Sequence, residues 1–517
     1  MIKDLLRKPY HLRVHRRKRA FLISLACWGV LASGSLVQGM KRLDVDFEYV
    51  VERAEKLANR RYKAPDAIPE VLANLDYDSY QQIRYRNDEE LWKDEGLPFV
   101  AGFFHLGYLY RESVDIHEFT STHEQEIGYL DSFFDFGTND FEGQLPKRLG
   151  YAGFRLASYV GNDREYREVG SFLGASYFRA VGMDQRFGSS ARGLAINAGL
   201  SMPEEFPRFS EFWLGKPLGN ANSITIYALL DSPSVTGAFA FTVLPGKDTE
   251  IRVKNRLFVR EEIVSFGISP LTSMYWRGEN RRAAESDYRP EVHDADGLLV
   301  WDGDEAPIWR PLDLDDKTRL SYFLAGGVSG FGLMQRDRDF DHYQDMEAEY
   351  HRRPSVWIEA KGDWGPGYVR LVELPTKNEF DDNIVAMWEP EVKPRPGDSV
   401  GYEYAIHWTK DPAPKGYPLL HVSDTRVGKD LSYPGTTVFV IDYSGGTESL
   451  KPEIEAHVGG PGALVDSHLK WNAYSRSWRA VLRVSDPEEE NGTVELKCHL
   501  KFEDGSQSEV WAYQWSL

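Results

Sequence analysis

Apolar residues along most of this chain alternate with period two, in runs too closely spaced to leave room for helical crossovers. FVAGFFHLGYLY (Phe99–Tyr110), ITIYALL (Ile224–Leu230), GAFAFTVLPG (Gly237–Gly246) and EIRVKNRLFV (Glu250–Val259) are such runs, bounded by Gly, Pro, Asn or Asp. This pattern predicts an all-β protein built as a large antiparallel sandwich, and excludes an α/β enzyme with a parallel sheet. Helical periodicity is confined to the start. Phe47, Val50, Val51, Ala54, Leu57 and Ala58 share one face of a helix predicted over Phe47–Tyr62, and a shorter pattern covers Ile68–Leu75.

Length and composition add bounds. At 517 residues the chain is long enough for a large domain plus a module. EPEVKPRPGD (Glu389–Asp398), with three prolines and mixed charge, reads as the linker between them. The predicted division is an export signal over 1–40, a large β-sandwich over 44–390, a linker over 391–400 and a second β-domain over 401–517. Within the last, YEYAIHW, TTVFVIDY, WRAVLRV, VELKCHLKF and EVWAYQW read as strands of an immunoglobulin-like sandwich. The Pro- and Gly-bearing segment between its first two strands, Thr409–Gly435, reads as a long loop that could cover a cleft.

The formal net charge is −19. The first 42 residues carry ten Lys/Arg against one Asp, so the remainder stands at −28. An acidic body disfavours nucleic acid and anionic membranes as partners and suits a neutral ligand. RVHRRKR followed by AFLISLACWGVLASGSLV has the basic and apolar regions of an export signal, Tat-like or Sec, with a retained anchor as the rival. The two cysteines, Cys27 and Cys498, allow no disulfide in a chain cleaved near Gly39–Met40 and no Cys-rich zinc site. No metal or cofactor is expected. His293, His342 and His351 would make a metal triad only if folding gathered them.

The chemistry concentrates in SGFGLMQRDRDFDHYQDMEAEYHRRPSVWIEAKGDW (Ser329–Trp364). Five acidic residues lie between Asp337 and Glu347, interleaved with Arg336, Arg338, His342, Arg352, Arg353, Phe340, Tyr343, Tyr350, Trp357 and Trp364. Rings for CH faces and charged groups for hydroxyls suit a polyhydroxylated ligand; a charged edge beside a strand is the bland alternative. EVHDADG (Glu291–Gly297) crowds His293, Asp294 and Asp296 onto a turn, open to a turn-capping, calcium or catalytic reading. FDDNIVAMW (Phe380–Trp388) puts Asp381 and Asp382 at a strand end, a like-charge pair that reads either as an acid/base site or as a solvated strand cap.

FLGASYFRAVG, SARGLAI, EEFPRFSEFW, SPLTSMYWRGEN, RPEVHDADGL, GFGLMQRDRDFDHYQDMEAEYHRRPS, KGDWGPG and DNIVAMW together resemble the OpgG/OpgD (MdoG) family of periplasmic glucan biosynthesis proteins, from about Asp46 to the C-terminus. The resemblance implies an N-terminal galactose-mutarotase-like supersandwich and a C-terminal immunoglobulin-like domain. It implies action on the β-1,2-glucan backbone of osmoregulated periplasmic glucans, closest to OpgD-like inverting glycoside hydrolases. An inverting transglycosylase that cyclises the glucan and a non-catalytic factor assisting a membrane glucan glucosyltransferase are the alternatives. It carries two catalytic carboxylates onto Asp294 (general acid) and Asp382 (general base), with Tyr350 orienting water or sugar and the proton passing through a substrate hydroxyl and waters. Tyr275, Trp276, Arg336, Arg338, Asp339, His342, Trp357 and Trp364 become candidate cleft residues. A homodimer is compatible with this reading.

Overall fold

A computed structural model describes residues 45–160, 165–281, 287–410, 417–487 and 492–516. The predicted signal lies outside these residues. Two sheets dominate, one of ten strands and one of fifteen. The long antiparallel runs Ile224–Asp231, Val235–Leu244 and Thr249–Val259 pair in chain order within the larger sheet, and their alternate residues face the ten-stranded sheet across a shared core. Thr249–Val259 buries Ile251, Val253 and Leu257 while Arg252, Lys254 and Arg256 face solvent, as the period-two pattern requires.

The opening helix spans Phe47–Ala58 and stops four residues short of the prediction. Asp46 caps it, accepting the Tyr49 N–H at 2.9 Å. Val50 and Ala54 are buried against Trp213, Leu229 and Ala238. A polar layer ties the helix to the sheet edge: Arg53 meets Glu211 at 2.6 Å, and the Trp213 indole donates to Glu124 at 2.6 Å. His117 stacks on Trp213, with one ring nitrogen 3.3 Å from Glu124 and the other 3.0 Å from Glu211.

The domain boundary differs from the sequence reading. Glu403–Thr409, expected as the first strand of the C-terminal module, lies inside the fifteen-stranded sheet, between Thr249–Val259 and Ser355–Lys361. Tyr404, Ile406 and Trp408 sit in the first domain's core. The proline-rich stretch carries the chain from one layer of the sandwich (Ile384–Pro390) to the other (Glu403–Thr409), and the module begins only after residue 410. Alternation fixed which face of this strand is apolar; it held no record of which neighbours the strand joins. The long loop expected over Thr409–Gly435 likewise contains a nine-residue strand, His421–Lys429, paired with Thr436–Ser444.

The module is a sandwich of seven strands: four in a separate sheet, and Glu453–Gly459, Val494–Lys501 and Val510–Trp515 facing them. That count and antiparallel layering match an immunoglobulin-like domain. The second layer continues the large sheet, because Val510–Trp515 pairs in parallel with Ile308–Pro311. The module's core accordingly takes in Leu299, Trp309, Met334 and Trp357 from the first domain.

Two outcomes follow. Trp408→Ala empties the space of a fully buried indole and should destabilise the protein by about 3–5 kcal/mol, read as a lower denaturant midpoint. Burial works against a charged His117, but Glu211, Glu124 and Asp115 outweigh it and hold its pKa above the ordinary value. Its stabilising contribution is therefore full below about pH 6.5 and fades as pH rises through the shifted value. His117→Gln should flatten the stability–pH curve in that window; an unchanged slope would refute the assignment.

Candidate active site

Gly330–Met334 and Ser355–Lys361 pair antiparallel, and residues 335–354 form an excursion folded over their end. One buried side chain anchors it. The Gln335 amide donates to Tyr343 Oη (3.0 Å), the Tyr350 carbonyl (3.2 Å) and the His293 carbonyl (3.3 Å), and its oxygen meets His293 Nδ1 at 2.9 Å. An amide presents donors and an acceptor at once, so a single residue joins both halves of the excursion to the EVHDADG turn. Asp296 adds a second tie by accepting the Arg336 and Asp337 N–H groups at 2.8–2.9 Å.

The fold brings the two predicted aspartates to one short strand, Tyr275–Arg277. Asp294 N–H donates to the Met274 carbonyl (2.9 Å), and His293 pairs in register with Tyr275. From the other side Asn383, next to Asp382, brackets Tyr275, accepting its N–H and donating to its carbonyl, each at 2.9 Å. The environments of the aspartates differ. Asp294 has no solvent-exposed surface and is ion-paired to Arg353, itself 2 % exposed. Asp382 is half-buried and lies within electrostatic reach of Tyr110, Tyr177, Arg179 and Arg192.

Tyr350 joins the pair. Its ring lies under the Arg353 guanidinium, 4.2 Å from the centroid, and its hydroxyl donates to Glu379 at 2.5 Å. Burial pushes the phenol's pKa well up, so it remains a neutral donor. Glu379 also accepts from Arg289 (2.7 Å), which binds Asp345 (3.0 Å) and Asp287 (2.8 Å). Arg353 and Glu379 thus belong to the site although sequence reasoning did not assign them. Their signal was proximity alone, three residues from Tyr350 and from Asp382.

The other predicted cleft residues divide. Arg338, Asp339 and Phe340 line an open cleft of about 560 Å³ that faces Ser423 and Asp424 of the C-terminal module. Arg338 also donates to the Arg353 carbonyl at 2.7 Å, and burial lowers its pKa. His342 pairs with Asp337 at 2.5 Å, and Trp276 carries the Arg277 guanidinium at 4.0 Å. Tyr275 is 1 % exposed, its hydroxyl bound to Asn280 at 2.6 Å, so its ring is not free for a sugar. Trp357 lies in the core shared with the module. Trp364 packs on Trp388, Tyr402 and Tyr404, away from the excursion. An aromatic beside charges serves a core as readily as a ligand, which the local sequence does not distinguish. His293, His342 and His351 do not form a triad; His293 is engaged by Glu291 and Gln335, and His351 stands edge-on to Phe340.

The match that decides the family covers almost the whole described chain: the model for the periplasmic glucan biosynthesis protein MdoG aligns with residues 45–515. The chain belongs to the MdoG family. In this MdoG-family protein the C-terminal module holds the start of the excursion. Arg336 lies flat on Trp309, 3.6 Å from the ring centroid, and its guanidinium binds both oxygens of Glu509 at 2.8 and 2.9 Å. Glu509 is fully buried, also accepts from the Val422 N–H (2.7 Å), and receives the Tyr417 hydroxyl. Burial opposes the Arg336 charge, but Glu509 more than offsets this and raises its pKa. Arg336 is therefore a clamp between domains. Glu509→Ala would leave a buried guanidinium without its partner and should cost about 3–5 kcal/mol, whereas the paired change Arg336→Met with Glu509→Leu should recover much of that loss in thermal unfolding.

Proposed function

We propose that this MdoG-family protein is a glycoside hydrolase that cleaves β-1,2-linked glucan with inversion of anomeric configuration. The reading rests on one observation above all: two aspartates from distant segments are tied to a single short strand and stand in unlike environments, one fully buried on an arginine and one half-buried. Hydrolysis with inversion needs one protonated carboxyl for the leaving oxygen and one carboxylate to activate water.

The ion pair favours the reverse of the order expected from the sequence. A carboxylate in direct contact with a buried guanidinium is stabilised in its charged form. Asp294 therefore fits the base, which leaves the acid's role to Asp382. Tyr350, held by Glu379 and covered by Arg353, orients the water or the sugar hydroxyl that carries the proton.

The test separates the roles. Purified protein is incubated with linear β-1,2-glucan and with a β-1,2-glucoside bearing a nitrophenolate leaving group. Asp294→Asn and Asp382→Asn should each reduce glucan cleavage by several orders of magnitude. Nitrophenolate needs little protonation, so Asp382→Asn should retain most activity on that substrate while Asp294→Asn should not. Full activity of both variants on glucan would reject the site; the opposite pattern on the activated substrate would restore the expected order.

The complete burial of Asp294 favours a second reading, transglycosylation, because a site poor in water lets a sugar hydroxyl compete as acceptor. Products formed without new reducing ends would identify it. Binding without any product would leave the protein a glucan-binding factor.

A further inference from the structure

Between the excursion and the EVHDADG turn, three side chains converge that have no role in the proposed bond cleavage. Ligand atoms of Glu291, Asp337 and His342 lie within 4.8 Å of one another. Donors around one transition-metal ion at bond lengths near 2.0–2.2 Å stand about 3–4 Å apart, so small side-chain shifts would bring all three onto a single centre. We propose that Glu291, Asp337 and His342 bind a divalent transition-metal ion of the zinc class, with open positions toward the interdomain cleft.

The donor set is mixed, one imidazole and two carboxylates, which suits a borderline ion better than calcium. Each donor is held by other groups. Glu291 is 6 % exposed, with one oxygen on His293 Nε2 at 2.9 Å, and His293 is fixed in turn by Gln335. Its other oxygen has no hydrogen-bond partner among the described residues. One Asp337 oxygen accepts the Asp339 N–H at 2.9 Å while the other faces His342 Nδ1. The Glu291 N–H donates to the His342 carbonyl at 3.0 Å, which fixes the spacing of the two segments. Such outer hydrogen bonds are what orient ligands before an ion arrives.

Charge and access agree with this. Asp296 and Asp339 lie in electrostatic range, opposed by Arg338 and His293. Asp337 lines the open cleft, which gives an ion a route in. The ion would replace the proton between His342 and Asp337, leaving a neutral imidazole and a carboxylate as ligands and releasing that proton to solvent. It would fasten the EVHDADG turn to the excursion independently of whether glucan is the substrate.

The full mature chain, stripped with a chelator, is titrated with Zn²⁺ and separately with Ca²⁺ by calorimetry. One Zn²⁺ per chain is expected, with Ca²⁺ at least about tenfold weaker, and saturation should raise Tm. His342→Ala and Glu291→Gln should each weaken Zn²⁺ binding by about 10–100-fold or more. Because a buried-carboxylate variant can misfold, wild-type crystals soaked in Zn²⁺ are also measured at the zinc absorption edge, with the anomalous peak expected among the three side chains. No Zn²⁺ binding, tighter binding of Ca²⁺, unchanged affinity in folded His342→Ala, loss instead in His117→Ala, or a peak elsewhere overturns the site.

Discussion

Placing Asp294 against Arg353 with almost no contact to solvent removes two ions from water, a cost that contact alone rarely recovers. The surroundings have to make up the difference. The Arg353 guanidinium also reaches the Ala348 carbonyl and lies over the Tyr350 ring, and its own carbonyl is held by Arg338. Tyr350 is fixed by Glu379, and Glu379 by Arg289. Each charge is met by the next, so the site is a connected polar network and not a set of separate contacts. Networks of this kind define one arrangement because any missing member leaves a buried group unsatisfied.

The network keeps its shape because it hangs from rigid sheet. Gln335 follows directly on the Gly330–Met334 strand, and Ser355 opens the next strand, so both ends of the excursion are fixed by backbone pairing. The C-terminal module adds a third support. Its strands extend the large sheet through Ile308–Pro311, and Glu509 reaches across to hold Arg336 at the start of the excursion. The module thus shapes the cleft wall directly.

Much of this could be read along the chain. The alternation in Thr249–Val259 specified a half-buried strand, and the amphipathic run from Phe47 specified a helix. The Ser329–Trp364 stretch stood out because it mixed rings with ions more densely than either a core or a surface requires. Reading failed where the deciding fact was a partner far away. Trp357 and Trp364 sit among charges in sequence but among hydrophobic side chains in space. Glu379 and Glu509 drew no attention because a lone glutamate acquires meaning only from the tyrosine or arginine it meets.

By itself, the sequence determined what each segment is locally: strand or helix, and which of its faces is apolar, since both depend on neighbours two to four positions away. It also determined membership of the MdoG family, since long motifs are carried in order along the chain. Tertiary structure alone decided which sheet Glu403–Thr409 joins, that Asp294 is bound to Arg353, and that Glu291, Asp337 and His342 share one space. Those outcomes depend on contacts between residues tens to hundreds of positions apart, and local periodicity carries no information about them.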